Sequence, residues 1–145
     1  MITLREITRD NLEEVLNLSV YDHQKSYVSS TAASLAQAYV YRSTAYPFAV
    51  YEDDTAVGFI MLGYYEARNQ YTLWKFLIDR KYQNRGFGKA ALTLGIRYLR
   101  ETFHADAIYT GVSFGNDIAK HLYHSVGFME TGFREDNMEE MKLTF

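Results

Sequence analysis

Seven consecutive residues near the middle of the chain, Gln83-Asn84-Arg85-Gly86-Phe87-Gly88-Lys89, are the first candidates for chemistry. Glycines spaced this way mark backbone that can approach an anion closely, and three phosphate-binding patterns compete for them. A Walker A loop needs G-x-x-x-x-G-K-[ST], because its hydroxyl holds magnesium. With Gly88-Lys89 aligned to its end, Gln83 stands where the first glycine belongs and Ala90 where the hydroxyl belongs, so that pattern fails. The dinucleotide fingerprint G-x-G-x-x-[GA] fits Gly86 to Ala91, but it requires an opening βαβ unit and an acid near the end of the next strand. Here the match lies past the midpoint, and the next strand ends in Gly111-Val112-Ser113. The third pattern, [QR]-x-x-G-x-[GA], is met by Gln83 through Gly88. Its physics is that of a helix N-terminus: free N–H groups converge on one anion, and the helix dipole favours negative charge. Arg85 and Lys89 add cationic surface, so a pyrophosphate would rest there without a metal. On the loop alone, a glycine-rich turn that merely opens a helix is an equally good account.

Other side chains could take part. Tyr123 follows Leu122 on a short helical stretch, where a buried phenol with a satisfied hydroxyl is the plainer reading. Glu66 follows the third expected strand and Asp79 ends the fourth; either carboxylate could take up a proton through water, but a solvated turn charge is the plainer reading of each. The base is left unassigned on these grounds. His121 and His124 stand three residues apart on one helix, but the chain has no cysteine and offers no third ligand, so no metal is expected.

These residues sit in a chain of 145 residues, enough for one domain over 1–145 with its own core. The absence of cysteine removes disulfides and thiolate chemistry and suits a reducing, cytoplasmic setting. The N-terminus MITLREITRDNLEE lacks the apolar run of a signal peptide. AVGFIMLGYY, residues 56–65, is too short to span a membrane and reads as a buried strand. A net charge of −3 argues against nucleic acid and suits a small cationic substrate. With 13 Tyr and 9 Phe, the chain has aromatic rings to spare for a cleft.

Periodicity gives the order of elements. Ile2 to Ile7 alternates as a strand. Asp10, with Glu13 three residues on, is the expected cap of a first helix, and Ser29 or Ser30 that of a second, running to about Arg42. Strands follow at Phe48–Glu52, Ala56–Tyr64 and Tyr71–Asp79, the first two joined by the turn Asp53-Asp54-Thr55. A helix over Gly88–Phe103 presents Leu92, Ile96, Leu99 and Phe103 on one face. Then come a strand at Ala107–Ser113, a helix opened by Asn116 and closed by Gly127, and strands at Phe128–Arg134 and Met138–Phe145. The result is an α+β chain with a mixed, mostly antiparallel sheet.

The loop, the bulky strand ending in Phe76-Leu77-Ile78-Asp79, and the downstream run N-D-I-A-K-H-L-Y (116–123) with Gly127-Phe128 together resemble the GNAT family of N-acetyltransferases. The element order agrees over nearly the whole chain, and the motifs are sharp over about residues 73–128. The resemblance implies a seven-stranded sheet flanked by four helices and splayed between its fourth and fifth strands. It also implies acetyl-CoA as cosubstrate, with its pyrophosphate on the backbone of Gln83, Asn84, Arg85, Gly86, Phe87, Gly88 and Lys89. The pantetheine arm would pair with Phe76, Leu77 and Ile78 and be met by Asn116 and Ala119. Tyr123 would then be the general acid at the departing sulfur, in a direct attack by an amine. Many relatives carry Gly after the Gln where this chain has Asn84, a residue that tolerates a left-handed backbone.

The stretch H-Q-x-S-Y-V-x-S (23–30) resembles a bacterial subgroup of spermine/spermidine acetyltransferases. That resemblance implies a polyamine acceptor, with Tyr27 lining its pocket and Asp22 or Glu66 pairing with a distal ammonium. Another primary amine, such as a peptide N-terminus, an amino acid or an aminoglycoside, is the competing acceptor. A non-catalytic acetyl-CoA sensor is the competing function. Members of that family often pair through exposed strands, which allows a homodimer.

Overall fold

A computed structural model describes all of residues 1–145. The strands are β1 (Ile2–Arg5), β2 (Ala45–Glu52), β3 (Thr55–Tyr65), β4 (Gln70–Ile78), β5 (Ala107–Ser113), β6 (Met129–Glu135) and β7 (Met138–Thr144). The helices are α1 (Leu12–Leu16), α2 (Thr31–Val40), α3 (Phe87–Phe103) and α4 (Asp117–Ser125), with short 3-10 turns at Asp22–Gln24, Glu66–Arg68 and Arg80–Tyr82. One seven-stranded sheet has the order β1-β2-β3-β4-β5-β7-β6. All of its pairings are antiparallel except β4 with β5.

Sequence explains which faces are covered. In β3 the run from Ala56 to Gly63 is buried without alternation, because helices lie on both sides of the sheet. Val57, Ile60 and Leu62 join Ala91, Leu92 and Leu99 of α3 on one face. Phe59 and Met61 join Val15 of α1 and Ala38 of α2 on the other. Burial of those apolar side chains, with the Val, Leu, Ile, Phe and Met among them each contributing about 1.5–3 kcal/mol, clamps the helices to the sheet.

Some boundaries differ from the periodic reading. The first helix is capped at Asn11 rather than Asp10, and Asn11 spends its side chain on the preceding loop. Its Oδ1 accepts from Thr8 N at 2.8 Å, and its Nδ2 donates to Glu6 O at 3.0 Å. β2 begins at Ala45, ahead of Pro47. Proline is tolerated there because β1 pairs with β2 only over Ala49–Glu52, leaving Pro47 on a free edge where its missing N–H costs nothing.

Two features of β4 shape what lies beside it. Met61 and Leu62 of β3 face Lys75 and Leu73, so Trp74 is an extra residue, a β-bulge. The bulge turns two consecutive side chains toward the α2 side. Trp74 meets the Tyr41 ring at 5.8 Å, and Lys75 reaches Ser29. The pairing of β4 with β5 is only two residues long, Thr72 with Tyr109 and Leu73 with Thr110. Beyond Leu73 the strands part, because β5 follows β7 for its whole length. A V-shaped opening results.

Candidate active site

The opening is a cleft of about 620 Å³. Its floor is the last paired residues, Leu73 and Thr110, and its walls are β4 from Trp74 to Ile78, the loop into α3, the first turns of α4, and residues 24–29. On the side facing β5, the backbone groups of β4 past the bulge have no strand partner, so an extended ligand can add to that edge.

At the far end stands the glycine loop. Asn84 adopts φ 64° and Gly86 φ 81°, both left-handed. Gly86 is the N-cap of α3, with no side chain capping the first turn, so the leading N–H groups of a 17-residue helix are free. Gly88 is constrained by proximity: a Cβ there would stand 3.3 Å from Leu122 Cδ2 and 3.5 Å from Phe76 Cζ. Gln83 fixes the start of the loop. Its Nε2 donates to the Ile78 carbonyl at 3.0 Å and to Gln24 Oε1 at 2.9 Å, and Gln24 Nε2 donates back to Gln83 Oε1 at 3.1 Å. Lys89 lines the cleft, whereas Arg85 does not; its guanidinium lies over the Tyr82 ring at 5.6 Å.

The opposite wall is α4. Asn116 caps it, accepting from Ala119 N at 3.4 Å, and Asn116, Ala119, Leu122 and Tyr123 all line the cleft. Tyr123 is only 7% exposed. Burial pushes its phenol up to about 12, with the Thr110 side chain opposing. The phenol therefore keeps its proton throughout neutral pH and can act as a donor but not as a base. Thr110 itself donates to the Leu73 carbonyl at 3.0 Å, bridging the two strands where they part.

The structure brings Phe76, Leu77, Ile78, Gln83, Asn84, Gly86, Phe87, Gly88, Lys89, Asn116, Ala119, Tyr123 and Tyr27 to one cleft. Tyr27 crosses to the β5–α4 turn, its hydroxyl 3.4 Å from where a Cβ on Gly115 would be. Asp22 and Glu66 are not brought there. Asp22 is exposed and paired with Lys25 at 2.9 Å, which holds its carboxyl below the usual range. Glu66 lies in the exposed turn after β3. Asp79 is buried and committed: its carboxylate accepts from Ser19 N and Lys81 N, both at 2.9 Å. His124 contacts Glu130, while His121 lines the cleft.

Sequence reading gave no role to Lys75 or Thr110, and none individually to Gln24 or Ser29, although these two stand in the stretch 23–30 that it singled out. Lys75 had a signal, as the lone charge in the strand YTLWKFLI. The others are ordinary polar residues whose partners lie tens of positions away.

Comparison with known proteins agrees with this architecture. The acetyltransferase (GNAT) family model matches residues 4–128, and the chain belongs to that family: it is an acetyl-CoA-dependent amine N-acetyltransferase. Among curated relatives, the spermine/spermidine N(1)-acetyltransferase of Bacillus subtilis is 32% identical over 149 aligned positions, covering 97% of this chain and 95% of the relative. Among solved structures, the spermidine N-acetyltransferase of Vibrio cholerae, in complex with CoA and spermine, superposes with a TM-score of 0.78 at 21% identity. That match covers 99% of this chain and 95% of the other. An acetyltransferase from Thermus thermophilus gives 0.79 at 19% identity, covering 100% and 97%. No helix is long and apolar enough to cross a membrane.

Proposed function

We propose that this chain, acting as one domain, transfers the acetyl group of acetyl-CoA to a primary amine of a polyamine such as spermidine or spermine, with Tyr123 as general acid. The observation that carries the reading is the two-residue pairing of β4 with β5. It leaves an unpaired strand edge running from a buried phenol to a helix N-terminus.

Each residue then has a task. The amides of Asn84 to Lys89 hold the pyrophosphate, and Lys89 adds a charge beside it. The free edge of Phe76–Ile78 takes the amides of the pantetheine arm, with Asn116 and Ala119 on the facing helix. Asn84 supplies the left-handed turn that glycine gives elsewhere, its φ of 64° being one that asparagine adopts with little strain. Acetyl-CoA supplies an activated acyl group. The neutral amine nitrogen bonds to the carbonyl carbon, the carbon–sulfur bond breaks, Tyr123 gives its proton to the sulfur, and the nitrogen sheds its extra proton to water. The phenol regains a proton from solvent.

The polyamine rests on the Bacillus subtilis relative and on the aromatic wall of Tyr27 and Trp74, which suits an ammonium. One observation favours a different acceptor: the lining includes Lys75 and Lys89 and no carboxylate, which suits a peptide N-terminus or an amino acid better than a polycation. Initial rates of CoA thiol release with spermidine, spermine, lysine, a short peptide and an aminoglycoside decide between them. Fastest turnover with the polyamines is expected. Preference for the peptide or for lysine would discard the polyamine and keep the transferase. Oligomerisation is a further expectation, since a dodecameric form of the Vibrio cholerae enzyme is known, and light scattering would test it.

A further inference from the structure

Lys75 is the one charged side chain that β4 turns into the cleft, and the mechanism above makes no use of it. Its surroundings are unusual for a lysine. Nζ donates to Ser29 Oγ at 2.8 Å, and no carboxylate pairs with it. Burial alone pulls its ammonium below the ordinary lysine range, with no neighbouring charge contributing. The other titratable groups lining the cleft are Tyr27 from the N-terminal segment, Tyr82 and Lys89 beside the glycine loop, and His121 and Tyr123 from α4. None is acidic, and β3 and β5 contribute no charged residue to the lining.

An aliphatic amine arrives at neutral pH almost wholly protonated, with a pKa of about 10.4, and only its free base can attack. A carboxylate base is one remedy, but Asp79 is committed to backbone N–H groups, and Asp22 and Glu66 lie outside the cleft. The other remedy is an environment in which the ammonium form is disfavoured, by desolvation and by a second cation nearby. The bulge supplies both. It turns Lys75 toward residues 24–29, the side of a largely apolar opening where the proposed acceptor would lie, and Ser29 holds its amine there without neutralising it.

We propose that Lys75 acts as a fixed cation whose field keeps the bound acceptor amine in its neutral, nucleophilic form, so that the proton is shed to water on entry rather than to a side-chain base. The inference rests on the cleft being the site of acetyl transfer and concerns how that site activates its acceptor. Lys75 does not exchange a proton in this scheme. Arginine, which stays charged and cannot serve as a base, should therefore replace it.

The test is kcat as a function of pH, using the acceptor that turns over best, for the wild type, Lys75→Arg and Lys75→Met. The calorimetric affinity of each for CoA is measured alongside. The rising limb of kcat reports the pKa of the bound amine. In Lys75→Met that limb should move to higher pH, with kcat at neutral pH falling about tenfold for each unit and recovering at high pH. The acceptor KM should fall with it, because the repelled ammonium form now binds. Lys75→Arg should keep the wild-type limb, and both variants should keep wild-type CoA affinity. An unmoved limb in Lys75→Met, with CoA bound normally, would overturn the inference and leave the cleft standing. Loss of the limb in both variants would make Lys75 a base, and weakened CoA binding would make it part of the cosubstrate's seat. Either result also overturns it.

Discussion

The end of the cleft toward α3 is built of backbone: a left-handed asparagine, a left-handed glycine, an uncapped first turn and a bare strand edge. The end toward residues 24–29 is built of side chains: Tyr27, Ser29, Trp74 and Lys75, brought in by two segments far apart in the chain. A site made of backbone depends on φ angles and close approach, which few residue types allow. A site made of side chains can be rewritten one residue at a time. The first end is thus suited to a cosubstrate shared by a whole family, and the second to an acceptor that differs among its members.

That contrast can be tested by substitution. The largest effect is expected where the two ends meet. Tyr123→Phe should lower kcat by roughly a hundredfold, the scale of a lost general acid, with KM for acetyl-CoA nearly unchanged. Steady-state kinetics with acetyl-CoA as the varied substrate would show it. The same phenol has a signature in stability. Its pKa is raised by burial to about 12 from an unfolded value of 10.0, so the folded state binds the proton more tightly. The stability this group contributes is complete below about pH 10 and is lost as pH climbs through 12, about 3 kcal/mol from this group. Tyr46 and Tyr98, also raised by burial, add to the decline, so denaturant melts across that range should show a smaller fall in Tyr123→Phe than in the wild type.

A smaller effect is expected at the joint between the ends. Gln24→Leu removes the amide pair and leaves half-buried Gln83 with one partner fewer, costing about 1–2 kcal/mol. Since Gln83 anchors the glycine loop, CoA affinity should weaken severalfold, as read by calorimetry. The smallest effects belong to exposed charges. Asp22→Asn and Glu66→Gln should leave the KM for spermidine within about twofold, because surface pairs contribute little and neither residue lines the cleft. A marked rise in either would erase the distinction between the two ends.

The same division decided what could be read from sequence. Gly86 and Gly88 are legible because their backbone demands leave few alternatives, and Asn116 because a cap needs a side-chain acceptor three residues before its N–H. The parting of β4 from β5 is implied by the family resemblance that these motifs carry, and the structure shows it. Asp22 and Glu66 were placed by residue type and by the resemblance of the stretch around Tyr27, whereas where an exposed turn points is set by the path of the chain around it. The Gln24–Gln83 pair joins residues 59 positions apart, beyond any local pattern. Lys75 was visible as a charge among apolar residues, but the bulge that aims it is a register shift against β3, which alternation does not reveal.

The central claim is that the backbone end of this cleft seats acetyl-CoA. Its most direct test is calorimetric titration of CoA into the wild type and into Gly88→Val, where the added carbons would crowd Leu122 and Phe76. With melting temperatures confirming that both are folded, saturable binding by the wild type and a loss of at least about tenfold in the variant are expected. Equal affinity in the two, or no binding by the wild type, would contradict the claim.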